Sequence, residues 1–210
     1  MPLIQLPSSL ALLYPNRPWK GAQLGRKVSL TFDDGPVPGV TDWVLEELAK
    51  RELNATFFMV GDNVRKHPSL AQEVLSAGHQ LGNHTYHHLS GWKTSTDTYL
   101  KDVAACDAIL EDTLGVQTRL FRPPYGWMKP RQAREVAKDK KIVMWSLLSY
   151  DFDSRLAPEK IIQVCISRTS SGSIIIFHDQ EKTKEQLKKV LPNYLDFLVG
   201  EGFTTQPLQG

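Results

Sequence analysis

The chain has 210 residues, of which 41% are hydrophobic and 23% charged, an ordinary globular balance that excludes disordered and collagen-like chains. This length suits one domain that buries roughly 70% of its unfolded surface without a disulfide staple. A formal net charge of +2 gives no basis for a nucleic-acid partner, and no stretch nears the ~18 apolar residues of a membrane span.

Cys106 and Cys165 lie far apart and outside any CxxC pattern. That spacing excludes a zinc–thiolate site and points to buried thiols rather than a disulfide framework. The first residues, Met1-Pro2-Leu3-Ile4-Gln5, lack the basic start and apolar run of a secretory leader. A cytoplasmic setting is expected unless a leader has been removed.

Residues 1–26 are rich in Pro, Leu and Arg without a period and read as an extension packed on a domain spanning 27–210. Val28-Ser29-Leu30-Thr31-Phe32 is a β-type run stopped by Asp33-Asp34-Gly35-Pro36. A helix follows with Thr41 as its N-cap and Val44, Leu45 and Leu48 on one face. Ala55 to Val60 is the next strand; Pro68 opens a helix that Gly78 ends. Gln80 to Asn83 leads into His84, and a longer helix from about Ser95 to Leu114 carries Tyr99, Val103, Cys106 and Leu110 at helical spacing.

Arg119 to Phe121, a helix near Gln132 to Lys138, and a run from Ile142 to Trp145 continue the alternation. Pro158 starts another helix, Ser173 to Phe177 is a strand, and Glu185 to Val199 is the last helix. Repeated strand–helix alternation implies an α/β fold, a parallel sheet closed or nearly closed by helices. No period of 20 to 50 residues marks a solenoid.

Chemically capable residues fall at strand ends, where such folds place their chemistry. Asp33 and Asp34 end the first strand, and His84 and His88 follow the third. Arg122 follows the next, Asp151 lies in the loop beyond Trp145, and His178 ends the last strand. Two imidazoles at i and i+4 can reach one metal, and an adjacent carboxylate completes a three-ligand set with open positions. A plain turn also accounts for Asp-Asp-Gly-Pro taken alone, as a solvated pair accounts for the histidines alone. Pro123 and Pro124 lack N–H groups, so Tyr125 offers the next free backbone donor after Arg122.

The segments Thr31 to Pro36, His84-Thr85-Tyr86-His87-His88, Arg122-Pro123-Pro124-Tyr125-Gly126 and Ile174 to His178 resemble the ordered motifs of the polysaccharide deacetylases, carbohydrate esterase family four. The resemblance runs from about Lys27 to Gly202. It implies a distorted, partly open (β/α)7 barrel of the TIM-barrel type and a metal-dependent hydrolase that removes acetyl groups from N- or O-acetylated carbohydrate. Through it, Asp33 is similar to the general base, and Asp34, His84 and His88 to the ligands of one divalent metal, zinc by default with Co2+ or Ni2+ as substitutes. Arg122 resembles the residue that holds the base, the Tyr125 amide the oxyanion donor, His178 the general acid and Asp151 the group that tunes it. Pro124, Phe152 and Ile176 fall in the substrate pocket, Ile176 where the family usually has Leu against the acetyl methyl.

One motif departs from the family. Its Asp-x-x-Asp-Trp reads Leu148-Ser149-Tyr150-Asp151-Phe152 here, which keeps the second Asp and an aromatic wall and bears on substrate fit. The partner expected is an acetylated glycan, bound by a monomer; chitin oligomers, peptidoglycan and xylan all stay open. A carbohydrate-binding pseudoenzyme on the same scaffold is the alternative, and its usual mark is loss of the base, a ligand or the acid. Two His and a carboxylate also bind Fe(II) in oxygenases, a class that does not require the second Asp, the Arg or the late His. Trp92 and Trp127, in loops after the His pair and Tyr125, are placed either to stack on sugar faces or to pack.

Overall fold

In the computed structural model, which describes residues 20–21 and 25–210, short apolar runs pair side by side into one curled parallel sheet. Its strands are β1 (Lys27–Asp33), β2 (Ala55–Met59), β3 (Gln80–Asn83), β4 (Leu120–Phe121), β5 (Lys141–Ile142), β6 (Leu147–Leu148) and β7 (Ile174–His178). They lie in the order β5-β4-β3-β2-β1-β7-β6, and β8 (Thr204–Thr205) pairs in parallel with the start of β1. β5 and β6 end the path without pairing to each other, so the expected (β/α)7 barrel is present and open on that side. The connecting helices are α1 (Thr41–Ala49), α2 (Gly61–Lys66), α3 (Pro68–Ser76), α4 (Thr96–Leu114), α5 (Pro130–Val136), α6 (Pro158–Arg168) and α7 (Lys184–Gly200). None of the described helices is long and apolar enough to cross a membrane.

Register gathers the chemistry. Asp33 sits opposite both Phe58 and His178, Met59 opposite Asn83, and Asn83 opposite Phe121. The residues that follow these positions therefore leave the sheet at one rim. β1 is buried along nearly its whole length, as befits a parallel strand covered on both faces. Phe32 stacks on Phe57 at 5.0 Å and on Phe177 at 6.1 Å, joining the three central strands by their side chains.

Local departures from expectation have physical causes. The run Ile142 to Trp145 is not one strand. The Val143 amide donates to Phe121 O on the β4 side, whereas the Ser146 amide donates to Ile174 O on the β7 side. The segment thus crosses the open side of the barrel, and the Arg122 guanidinium takes up the Val143 and Met144 carbonyls. Thr41 does not cap α1; Val40 holds the N-cap position without a side-chain bond. The Thr41 hydroxyl accepts from the Val37 amide at 2.8 Å and donates to Asp179 Oδ2 at 2.6 Å. Ser95 does cap α4, its hydroxyl accepting from the Thr98 amide.

α2, β6 and β8 are too short to show a period in the sequence. Of the expected N-terminal extension, Lys20 bridges to Ser173 and the Gly21 amide donates to Gly172 O; residues 1–19 and 22–24 lie outside the described residues.

Gly82 in β3 is where fold and site meet. A Cβ there would stand 2.5 Å from the Phe58 ring, and that ring carries the Arg122 guanidinium at 4.1 Å. Gly82→Ala should therefore lower stability by ~1–3 kcal/mol through overpacking, read as a lower urea midpoint. Adding Phe58→Leu should restore part of the loss, and an unchanged midpoint in the single variant would contradict the contact.

Candidate active site

Asp33 ends β1 almost fully buried, at 4% exposure, and a buried carboxylate needs a partner. Arg122, just past β4 and fully buried, supplies it: Nη1 donates to Asp33 Oδ1 and to Thr31 Oγ1, each at 2.7 Å. The Thr31 hydroxyl donates in turn to Ile175 O. Burial draws the guanidinium below its ordinary pKa, and the Asp33 charge opposes that. Only Asp33 Oδ2 is left to face the neighbouring groups, with His84 Nε2 at 4.0 Å.

Asp34 turns the other way because its φ is +83°, and its backbone is held by the Phe58 carbonyl and the Asn63 side chain. Its Oδ1 lies 3.4 Å from His84 Nε2 and 3.0 Å from His88 Nε2. That oxygen is buried and accepts no hydrogen bond from the described residues. His84 Nδ1 is 2.7 Å from the Arg122 carbonyl, which can only accept, so Nδ1 carries a proton and Nε2 is the nitrogen turned toward Asp34. The ligand atoms of Asp34, His84 and His88 all lie within 4.8 Å of one another. One carboxylate oxygen and two imidazole nitrogens that converge in this way form a donor set that fits a divalent cation, with His84 oriented from behind by its second nitrogen. Burial opposes the charged form of Asp34, but the two imidazoles outweigh it and hold the carboxyl well below the usual range.

His178 leaves β7 opposite Asp33. Its Nδ1 meets Asp151 Oδ1 at 2.7 Å, and its amide donates to Asp151 Oδ2 at 2.7 Å. Burial alone would push this imidazolium down; the Asp151 charge and hydrogen bond, with Asp34 and Asp33 behind them, carry it up to about 9. The Phe152 ring stands edge-on to His178 at 5.1 Å.

These groups surround one cavity of about 280 Å³, lined by Asp33, Asp34, His84, His88 and His178 with Tyr125, Trp145, Leu148, Phe152 and Ile176 among its walls. Arg122 and Asp151 are not among the lining residues; from behind the wall their side chains hold Asp33 and His178, and the Arg122 carbonyl holds His84. Of the two prolines it is Pro123, not Pro124, that lines the cavity; Pro124 is buried at the start of a single turn. Tyr125 follows with φ 60°, its ring edge-on to His88 at 4.8 Å.

Several supporting residues escaped the sequence reading. Asp102 on α4 accepts from the Tyr86 and His87 amides and from His87 Nδ1, which clamps the loop that bears both His84 and His88. Ser149 donates to Asp151 Oδ1 at 2.9 Å. Gln180 donates to Asp34 Oδ2, and Asp179 accepts from the Gly35 amide. Burial raises the Asp179 carboxyl to about 8. Their only sequence signal is polarity beside a strand end or on a helix, which is too common to single them out.

Arg122→Ala would leave a buried carboxylate without its counter-charge, and the expected loss of stability is ~3–5 kcal/mol. Equilibrium urea unfolding measures it; a loss below about 1 kcal/mol, the scale of a surface pair, would show that Asp33 has another partner.

Comparison with known proteins bears on the fold and the family. A peptidoglycan-N-acetylglucosamine deacetylase of Bacillus cereus is 30% identical over 172 residues, covering 79% of this chain and 62% of that protein. The chain thus spans less than two thirds of that relative's length. A solved peptidoglycan N-acetylglucosamine deacetylase in complex with an N-hydroxybenzamide has a TM-score of 0.83 at 27% identity, covering 94% of each chain. A mutant of a Bacillus anthracis CE4 family pseudoenzyme, with restored enzymatic activity, has a TM-score of 0.79 at 25% identity, over 90% of this chain and 68% of that one. The family model described as polysaccharide deacetylase matches residues 20–145, and that stretch contains Asp33, Asp34, His84, His88 and Arg122. The chain belongs to the polysaccharide deacetylase family.

Proposed function

We propose that the chain hydrolyses the N-acetyl groups of an amino-sugar glycan, with the N-acetylglucosamine of peptidoglycan, named for its relatives, as the first substrate to test. The observation that carries this reading is the separation of tasks around one cavity: a carboxylate fixed by Arg122, a lone-pair cluster, and an imidazolium fixed by Asp151. Asp34, His84 and His88 would hold one divalent cation, zinc by default, with cobalt or nickel compatible with the same donors. Such an ion, when bound, polarises a carbonyl and lowers the pKa of water.

The remaining steps belong to the chain. Asp33 Oδ2 takes the proton of the attacking water, while Arg122 keeps Oδ1 occupied and the carboxylate oriented. As the water oxygen bonds to the acetyl carbon, negative charge grows on the carbonyl oxygen, where the Tyr125 amide donates. The C–N bond then breaks, and His178 delivers its proton from Nε2 to the departing nitrogen, so a neutral amine and acetic acid leave; the acid, which keeps the second proton of the attacking water, ionises to acetate in solvent, and the proton held by Asp33 is returned through solvent to reload His178. Without that proton the leaving group is an amide anion, far too basic to depart. Ile176 and Leu148 give the acetyl methyl an apolar wall. A pseudoenzyme's usual mark is loss of the base, a ligand or the acid, and the residues this reading assigns to those roles, Asp33, the set Asp34, His84 and His88, and His178, are all present in the sequence.

Acetate release from a peptidoglycan or chitooligosaccharide substrate tests the reading. Asp33→Asn, whose side-chain oxygen still accepts from Arg122, should cut turnover about a hundredfold or more. Turnover near the wild-type level in that variant would remove Asp33 from the role of base.

The pH profile tests the acid. His178 is charged below about 9, so amide turnover should hold through neutrality and fall as pH rises past that value. Asp151→Asn removes the charge that raises it, and the alkaline limb should move to lower pH. An unmoved limb would assign the limb to another group.

A further inference from the structure

Consecutive residues at the end of β7 act on the aspartate pair from one side. His178 lies opposite Asp33 in the sheet register. Asp179, fully buried, grips the residues that flank Asp34. Its amide donates to Asp33 O at 3.0 Å, and its Oδ1 accepts from the Gly35 amide at 3.2 Å. A Cβ on Gly35 would stand 2.0 Å from Asp179 Oδ2, so only glycine lets the two segments meet this closely. Gln180, which lines the cavity, then donates to Asp34 Oδ2. A carboxylate only accepts, so the amide nitrogen of Gln180 is the atom that faces it.

The two oxygens of Asp34 thereby meet different neighbours. Oδ1 looks toward His84 Nε2 at 3.4 Å and His88 Nε2 at 3.0 Å, while Oδ2 is taken by Gln180. A free carboxylate would turn either oxygen, or both, toward the imidazoles. The Gln180 amide removes that freedom, and its own backbone is fixed. Gln180 O accepts from the Thr183 amide at 3.0 Å, and the buried Thr183 hydroxyl lies between that carbonyl and His178 O. Packing does not demand the Gln180 side-chain bond. The residue is half-buried at the cavity wall, where water would satisfy both partners if they were apart.

We propose, resting on the reading of Asp34, His84 and His88 as a cation site, that Gln180 is a positioning residue for Asp34. By holding Oδ2 it offers one carboxylate oxygen, not two, toward the histidines. Groups that hydrogen-bond a ligand from behind set its orientation, and losing one costs about 10–100-fold in metal affinity. Because residues 178 to 180 are consecutive, the strip that presents the His178 imidazolium also sets the Asp34 carboxylate.

The test is a chelator-competition titration of metal-free protein with Zn2+, in wild type, Gln180→Met and Glu181→Gln. Methionine keeps the side-chain length and removes the donors. Glu181 is the control, exposed on the same turn and directed to Lys184 at 3.8 Å. All three should bind one equivalent, about 10–100-fold more weakly in Gln180→Met and with wild-type affinity in Glu181→Gln. The visible spectrum of bound Co2+, which follows the number and arrangement of its donors, should change in Gln180→Met alone. The urea midpoint of the metal-free protein should stay where it is in both variants. Wild-type zinc affinity together with a wild-type Co2+ spectrum in Gln180→Met would overturn the assignment. So would a raised KM for acetylated substrate at unchanged zinc affinity, which would make Gln180 a substrate contact. A lowered midpoint at unchanged zinc affinity would make it a structural residue and overturn the assignment as well. Failure of the wild type to bind stoichiometric Zn2+ would remove the cation site and the role of Gln180 with it, an outcome distinct from the loss of the Gln180 effect alone.

Discussion

Asp33 and Asp34 are neighbours at the end of the central strand, both largely withdrawn from water, and neither can keep a charge there without a partner. The fold answers the two needs from opposite directions. Arg122 comes from β4, three strands away in the sheet order, and reaches Asp33 across the inside of the curve. It rests on the Phe58 ring and is held by Thr31 and the carbonyls of Val143 and Met144. A flat sheet would put β4 out of its reach. Asp34 is met instead by His84 and His88 from the loop after β3. Two adjacent residues of one type thereby acquire different surroundings: one carboxylate is paired with a guanidinium and oriented, the other faces two imidazoles, the donor set proposed to hold a cation.

Holding that division requires backbone that most side chains avoid. Asp34, Thr85, His88, Tyr125 and Tyr150 all have φ between 55° and 83°, and all of them belong to the site or its flanking loops. Each such position is costly by itself and persists when its surroundings over-determine it. The surroundings here are specific. Asn83 Oδ1 accepts from the Thr85 amide, Thr85 Oγ1 accepts from the Leu89 amide, and Asp102 takes the two amides between the histidines. His178 is fixed through Asp151, which Ser149 fixes in turn. Reacting groups set in advance avoid reorganisation during reaction, which is where such sites obtain much of their advantage.

Much of this could be read from the chain. The alternation of apolar runs with helical periods marks a parallel sheet, and Asp33, His84, Arg122 and His178 stand out because each follows a strand. The helpers were not legible, for a physical reason. Asp102 acts through two amides and a ring nitrogen more than a dozen residues away in sequence, and Ser149 and Gln180 act through single hydrogen bonds. Nothing in residue type or spacing announces such contacts. The same holds for Pro123 and Pro124, where only the turn after Arg122 decides which ring faces the cavity. Ile142 to Trp145 looked like one strand because its apolar content is continuous; its hydrogen bonds pass from one sheet edge to the other, which hydrophobicity does not record.

The central claim is the unequal treatment of the two carboxylates, and calorimetric titration of metal-free protein with Zn2+ tests it without reference to turnover. Wild type and Asp33→Asn should each bind one equivalent, because Arg122 and not the metal balances Asp33. Asp34→Asn and His88→Ala should lose that equivalent while keeping the far-UV circular dichroism of the folded chain. Binding retained by Asp34→Asn, or lost in Asp33→Asn with its fold intact, would contradict the assignment and reverse the roles of the pair.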